Sequence, residues 1–200
     1  ALWVFLIIVI GAITRLTHSG LSMVEWRPIT GWLPPLSEHA WQQAFDAYKQ
    51  YPEFKQINSG MDLQGYKQIF WLEYIHRVLA RCIGLIFVVP LVYFTIKKKL
   101  PKSFIYPLSS LFLLGGAQGF LGWWMVKSGL QDRPDVSAYR LVAHLGLAVL
   151  LYSALLKTSL MVRYPIKIFS KYNFNYAGYA LAVLVYITIL SGGLVAGTNA

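Results

Sequence analysis

Five long apolar runs, separated by polar segments, dominate the 200-residue chain. A helix needs about 20 apolar residues to cross roughly 30 Å of hydrocarbon, and four of the runs reach that length. In lipid, helices satisfy their own backbone hydrogen bonds, so we predict an all-α, polytopic bundle of transmembrane helices with five spans. The runs are Ala1 to Thr14, Ile69 to Ile96, Phe104 to Val126, Tyr139 to Val162 and Tyr176 to Gly197.

The run from Ala1 to Thr14 is the shortest, and at ~1.5 Å per residue it reaches only about 21 Å. We therefore expect the chain to begin inside a helix, and to stop at Ala200 where a loop should start. The predicted organisation is an N-terminal four-helix bundle over residues 1–172, with a long loop at 15–67. Residues 173–200 then begin a second, truncated bundle.

The basic residues predict the orientation. Two loops, after the second and fourth spans, carry lysine and arginine with no acid beside them, which is typical of the cytoplasmic or mitochondrial matrix side. Seven of the eight acids lie in the other loops, so we place the long loop outside. The location we expect is a bacterial inner membrane, with the haem site towards the outer face and a mitochondrial inner membrane as the alternative. The basic residues are Lys97, Lys98, Lys99, Lys102, Arg163, Lys167 and Lys171.

Composition agrees with a membrane protein. The chain is 56% hydrophobic and 13% charged, whereas about a quarter of a soluble domain is charged. Its net charge of +10 does not indicate nucleic acid, because the basic residues are spread over short loops rather than gathered in one stripe. The single Cys82 excludes an internal disulfide framework and a cysteine metal cluster.

The long loop contains one short amphipathic segment, Ser37 to Tyr51. A serine cap opens it, and Trp41, Phe45 and Tyr48 share one helix face. Such a helix could lie on the membrane surface or cover a site that opens to the outer face. Alternatively, its aromatic residues belong to an interfacial belt.

Ionisable residues inside the spans are the candidate functional groups, because they are costly in lipid. His76 and His144 occupy the second and fourth spans, ~12 and ~8 Å from the outer ends of their helices. Two histidines at similar depth can bind one haem iron from opposite sides. Glu73 shares a helix face with His76, and Arg140 shares one with His144. The alternative is that both histidines are satisfied core residues.

The remaining charged groups suggest roles around such a haem. Arg140 could pair with a propionate, and Arg77 is a second candidate to contact the cofactor. Glu73 could shuttle protons, stabilise developing positive charge or hydrogen-bond a ligand. Arg81 is expected to extend towards the inner interface. His18 and His39, in the outer loop, are expected to be solvated or capping residues.

The third span carries a group of small residues. Gly115 and Gly119 are four apart, with Gly122 on a neighbouring row, which favours close packing of helices. A flat macrocycle lying on this glycine face is the alternative. Gln118 is a polar group on the same helix and could face the same cavity.

Several motifs together resemble the haem A synthase family, most closely the branch shared by mitochondria and alphaproteobacteria. The resemblance covers nearly the whole chain, and the absence of paired cysteines from the first outer loop fits that branch. The motifs are Arg15-Leu-Thr-His-Ser-Gly-Leu-Ser-Met, Pro52-Glu-Phe-Lys, Glu73-Tyr-Ile-His76-Arg, Gln118-Gly-Phe-Leu-Gly-Trp-Trp-Met-Val-Lys-Ser-Gly-Leu130 and Tyr139-Arg-Leu-Val-Ala-His144-Leu.

The resemblance implies eight transmembrane helices in two bundles, each with a histidine pair for one haem. It implies oxidation of the C8 methyl group of haem O to the formyl group of haem A, which is used by cytochrome c oxidase. His76 and His144 are then the axial ligands of the substrate haem, and Glu73 is the acid beside the reacting group. A haem b is expected in the second bundle, whose histidines are not among these residues.

The same resemblance implies partners: haem O synthase, assembly factors of cytochrome c oxidase and the lipid bilayer. It leaves a homo-oligomer open. An alternative function also explains the histidines, namely a membrane electron carrier that binds haem b through two histidines without substrate chemistry. That alternative gives Glu73 no necessary role.

Overall fold

The computed structural model describes residues 1–27, 30–164 and 176–198. Within these ranges the chain is helical and contains no strand, which confirms the all-α prediction. The last four helices in chain order are long and apolar enough to cross a membrane, and the first is a shorter apolar helix. Lys167 and Lys171 lie outside the described residues. The helices are α1 (Leu2–Leu16), α2 (Glu38–Tyr48), α3 (Pro52–Gln56), α4 (Leu63–Ile96), α5 (Lys102–Gly129), α6 (Ala138–Arg163) and α7 (Tyr176–Thr198).

Helix α4 begins earlier than its apolar run. The side chain of Asp62 accepts a hydrogen bond of 2.8 Å from the backbone amide of Gly65 and so caps the helix. With 34 residues, α4 is ~51 Å long, well beyond the roughly 30 Å of a hydrocarbon core. Its polar first turns therefore project beyond the apolar layer, and the predicted loop end at residue 67 is too late.

Helices α1, α4, α5 and α6 form the closed four-helix bundle predicted for the first four spans. Each of them packs against two others, so that α4 and α6 occupy opposite corners. Helix α7 packs on the outside of α6. At this contact Gly197 approaches so closely that a Cβ atom added there would lie 2.7 Å from Cα of Ala138.

The loop after α1 folds over one end of the bundle, and we call residues 17–27 and 30–62 the cap. Helix α2 starts at the Ser37 hydroxyl, which accepts from the amide of Ala40 at 3.1 Å. Its apolar face is buried inside the protein, against the projecting turns of α4. The apolar face of α2 therefore contacts protein, and the position of the helix relative to the membrane surface stays a prediction. The buried cluster is Trp41, Phe45, Tyr48, Tyr66 and Phe70.

Candidate functional site

His76 and His144 come from α4 and α6, the helices at opposite corners of the bundle. Each ring stands edge-on against a glycine of a neighbouring helix. A Cβ atom added to Gly11 on α1 would lie 3.0 Å from Cε1 of His76. A Cβ atom added to Gly122 on α5 would lie 3.0 Å from Cε1 of His144. The α1–α4 pair and the α5–α6 pair thus each contribute one histidine, and each histidine ring contacts the glycine of the paired helix at the same distance.

Both rings carry a nitrogen that lacks a partner. Nδ1 of His76 and Nδ1 of His144 are buried and have no hydrogen bond among the described residues. Burying a polar atom without a partner is costly, and a ligand bound at the ring would remove that cost. The described residues bring no group of three histidine, cysteine or acidic side chains together as a metal site. Two imidazoles on opposite helices fit a metal whose other ligands belong to a macrocycle, as in haem.

Glu73 lies one turn from His76 on α4 and is only 2% exposed. One of its oxygens, Oε2, accepts hydrogen bonds of 2.7 Å from the Ser22 hydroxyl and from the Met23 amide. The other, Oε1, pairs with the Arg77 guanidinium at 2.5 Å. Through these contacts Glu73 connects α4 to the cap. Its catalytic role stays a prediction.

Arg77 is bound to the cap as well. It donates to the carbonyl oxygens of Met23 and Glu25 at 2.9 and 3.2 Å. Its guanidinium lies 4.9 Å from the centre of the Trp26 ring, a cation–π distance. These contacts occupy the guanidinium, and its predicted contact with a cofactor stays a prediction.

The expectation for Arg81 is wrong. Its Nη2 donates to the carbonyl oxygen of Arg27 at 3.0 Å, and its guanidinium lies 5.9 Å from the Trp32 ring. Arg81 therefore extends to the cap rather than to the inner interface. The reason is that the cap follows α4 for several turns, which the spacing of apolar residues does not reveal.

Arg140 lies beside a polar cavity of about 210 Å³ between the ends of α5 and α6. It donates to the carbonyl oxygen of Trp124 at 2.8 Å, and its guanidinium lies 4.3 Å from that residue's ring. A carboxylate entering the cavity would meet this guanidinium. The pairing with a propionate stays a prediction. The other lining residues are Ser128, Gln131, Asp132, Arg133 and Ser137.

The glycines of α5 do not all behave as predicted. No described residue comes within 4 Å of a Cβ atom added at Gly115 or Gly119, so close helix packing there is wrong for the described residues. Gly122 is in contact instead, with His144. Gln118 donates to the His144 carbonyl oxygen at 2.9 Å, and its Nε2 lies 3.4 Å from Nε2 of the same histidine.

Sequence reasoning missed Gly11 and Ser22 as parts of the site. A signal for Gly11 exists, because an isolated glycine inside an apolar helix often marks a close approach. Ser22 lies in one of the motifs that carry the resemblance, but nothing in the motif indicates that its hydroxyl reaches α4. That contact depends on the path of the cap.

These features define a class: a polytopic helical membrane protein whose four-helix bundle carries two half-buried histidines, on helices at opposite corners, beneath a folded cap. A family model described as "COX15-CtaA: Cytochrome oxidase assembly protein" matches residues 1–200. The chain belongs to this family.

Curated relatives cover nearly the whole chain. It is 48% identical to a protein named heme A synthase from Nitrosospira multiformis, over 98% of this chain and 56% of the relative. For heme A synthase from Parvibaculum lavamentivorans the values are 46%, 98% and 57%. For that of Caulobacter vibrioides they are 45%, 100% and 59%. The chain thus spans little more than half the length of these relatives, and no solved structure matches it.

Proposed function

We propose that this chain forms the substrate-binding bundle of a haem A synthase, which oxidises the C8 methyl group of haem O to the formyl group of haem A. The observation that carries the proposal is the pair of half-buried imidazoles of His76 and His144 on helices at opposite corners of the bundle, each with a buried Nδ1 that has no hydrogen bond among the described residues. The names of the relatives support the same activity. Bound haem O would supply the reacting methyl group.

The chain's own residues would hold and enclose the substrate. His76 and His144 bind the iron, and Arg140 meets a propionate beside the polar cavity. Arg77 holds the cap over the bundle by its bonds to Met23 and Glu25, which excludes water from the methyl group. Glu73, fixed one turn from His76 by Ser22, Met23 and Arg77, is the acidic residue we assign to stabilising the positive charge that develops during oxidation.

The wider setting belongs to the proposal as well. Helix α7 begins a second bundle that holds a haem b, and the cap faces the outside of a bacterial inner membrane. The lysines at the end of α4 support this orientation, since they lie at the opposite end of the bundle from the cap. Haem O synthase and cytochrome c oxidase assembly factors are the expected partners for substrate delivery and product use.

One observation favours a second function, a haem b electron carrier without substrate chemistry. Both oxygens of Glu73 are already occupied by Ser22, Met23 and Arg77. If the Glu73 carboxylate serves only to hold the cap, no acidic side chain is left to take part in chemistry at the haem. The histidine pair alone is sufficient for an electron carrier.

A haem analysis separates the two functions. The protein that carries this sequence is expressed in a host that makes haem O but no haem A, and its extracted haems are identified by chromatography and mass spectrometry. We expect haem A from the wild type, and from the Glu73→Gln variant bound haem O without haem A. Glu25→Gln, an exposed acid of the same cap, is the matched control and should retain product. Bound haem with no formyl product from the wild type would favour the electron carrier, and no bound haem would overturn both.

A further inference from the structure

The two candidate haem ligands share one contact: each ring points its Cε1 atom at a glycine of a neighbouring helix. From a Cβ atom added at Gly11, Cε1 of His76 is 3.0 Å away and both ring nitrogens are 3.6 Å away. From one added at Gly122, Cε1 of His144 is 3.0 Å away and the nitrogens are 3.6 and 3.7 Å away. The near-equal nitrogen distances mean that each ring meets its glycine head-on.

This geometry restrains the rings without touching their nitrogens. A carbon–carbon contact is ordinary at about 3.5–4.0 Å, so a side chain at either glycine would force the facing imidazole to tilt or turn. With glycine, the space that a Cβ atom would fill is left to the ring edge. The helix backbone behind that space is rigid, and it therefore limits movement of the ring at its Cε1 edge, between the two nitrogens.

We propose that Gly11 and Gly122 are positioning residues, which set the tilt and rotation of His76 and His144 for binding one metal between them. This inference rests on the proposed haem-binding role. Hydrogen-bonding partners that orient a metal-binding histidine are worth about 10- to 100-fold in metal affinity, and we expect a steric contact that orients the ring to act in the same direction. The repetition of the contact in the α1–α4 and α5–α6 pairs indicates that both ligands are fixed in the same way.

The contact itself can be tested without haem. This chain has four histidines, and with their Cε1 carbons labelled the histidine NMR signals in detergent are assigned by His→Gln substitutions. We expect a nuclear Overhauser effect between Hα of Gly122 and Hε1 of His144, and a shift of that histidine signal alone in Gly122→Ala. Gly11→Ala should shift the His76 signal alone. Gly119→Ala is the matched control on α5, because the space at Gly119 is open.

The functional consequence is tested with hemin titrated into the same purified variants. We expect Gly11→Ala and Gly122→Ala to shift the low-spin electron paramagnetic resonance signal of the bound haem and to weaken binding about 10-fold. Gly119→Ala should do neither. An unchanged signal and affinity in Gly11→Ala and Gly122→Ala, or an equal change in all three variants, would overturn the positioning role.

The two tests fail in different ways. If the wild type binds no hemin while the NMR contacts are present, the haem-binding function fails and the positioning role falls with it, although the packing stands. If hemin binds through His76 and His144 but the Overhauser effects are missing, only the positioning role is overturned. Loss of the optical spectrum in His76→Ala and His144→Ala identifies the ligands in either case.

Discussion

Glu73 and Arg77, one turn apart on α4, form an ion pair that is almost closed to solvent, with side-chain exposures of 3% and 7%. Their further hydrogen bonds go to the cap residues Ser22, Met23 and Glu25. The pair links α4 to the cap, so we expect these two residues to influence how firmly the cap closes over the bundle. They are also the charged side chains that lie one turn from His76 or beside it on α4.

Removing Arg77 should loosen the cap. An Arg77→Ala change leaves the Glu73 carboxylate buried without its partner, which costs about 3–5 kcal/mol. We expect faster amide hydrogen exchange across residues 19–27 than in the wild type, measured by mass spectrometry. Arg27→Ala breaks a solvent-exposed pair with Glu25 and should cost less than about 1 kcal/mol. Equal protection in the two variants would show that the buried pair does not hold the cap.

The aromatic cluster should stabilise the cap independently of that pair. Phe45 is 4% exposed and stacks on Tyr66 with ring centroids 5.1 Å apart. A Phe45→Ala change should cost about 3–5 kcal/mol, measured as the loss of near-ultraviolet circular dichroism at lower denaturant. Leu36→Ala, at a residue that is 77% exposed, is the control and should change little.

The spans could be predicted from the sequence because lipid imposes a simple pattern, a run of apolar residues long enough to cross it. The predicted start of the second span at Ile69 is late because hydropathy reports contact with lipid, not helix. The turns from Leu63 remain helical outside the apolar layer, capped by Asp62. A cap residue just before a helical pattern was the available signal.

The histidines could be found in the sequence, but their surroundings could not. Ionisable side chains are energetically costly inside a membrane span and are therefore functional candidates, and His76 and His144 are two of them. The partners of Glu73, Arg77 and Arg81 are backbone and hydroxyl groups of the cap. Such contacts depend on the path of an irregular loop, and no periodicity encodes that path.

Glu53 should make the stability of the cap depend on pH. Burial raises the pKa of this carboxyl from an ordinary 4.5 to about 7, against the lowering effect of the hydrogen bond that Tyr48 donates to it. Between these values the native cap holds a proton that the unfolded cap has released. Stability is therefore full below pH 4.5 and is lost as the pH rises through 7, by at most about 3 kcal/mol.

The pH dependence has a matched test in Glu53→Gln. Glutamine keeps an oxygen that can accept from the Tyr48 hydroxyl, now at 2.9 Å from the carboxylate, but it does not titrate. Between pH 5 and pH 8 we expect the denaturant midpoint for unfolding of the cap to fall in the wild type, and to fall less in the Glu53→Gln variant. Parallel pH profiles would show that Glu53 is not the titrating group.

Gln118 should distinguish His144 from His76. Its amide donates to the His144 carbonyl oxygen at 2.9 Å, and a Gln118→Leu change removes this bond at a cost of about 1 kcal/mol. In the labelled NMR spectrum we expect the His144 signal to shift while that of His76 stays. A shift of both signals would mean that the two rings respond as one unit.

The packing of α7 on α6 should depend on a single glycine. A Cβ atom at Gly197 would lie 2.7 Å from both Cα and Cβ of Ala138, and the backbone atom cannot move aside without moving α6. A Gly197→Val change should therefore cost about 1–3 kcal/mol, as overpacking does, and lower the thermal unfolding midpoint in detergent. Gly192→Val is the control on the same helix, because no described residue lies within 4 Å of a Cβ atom there. If both changes lower the midpoint equally, the loss reflects valine in α7 itself and not the contact with α6.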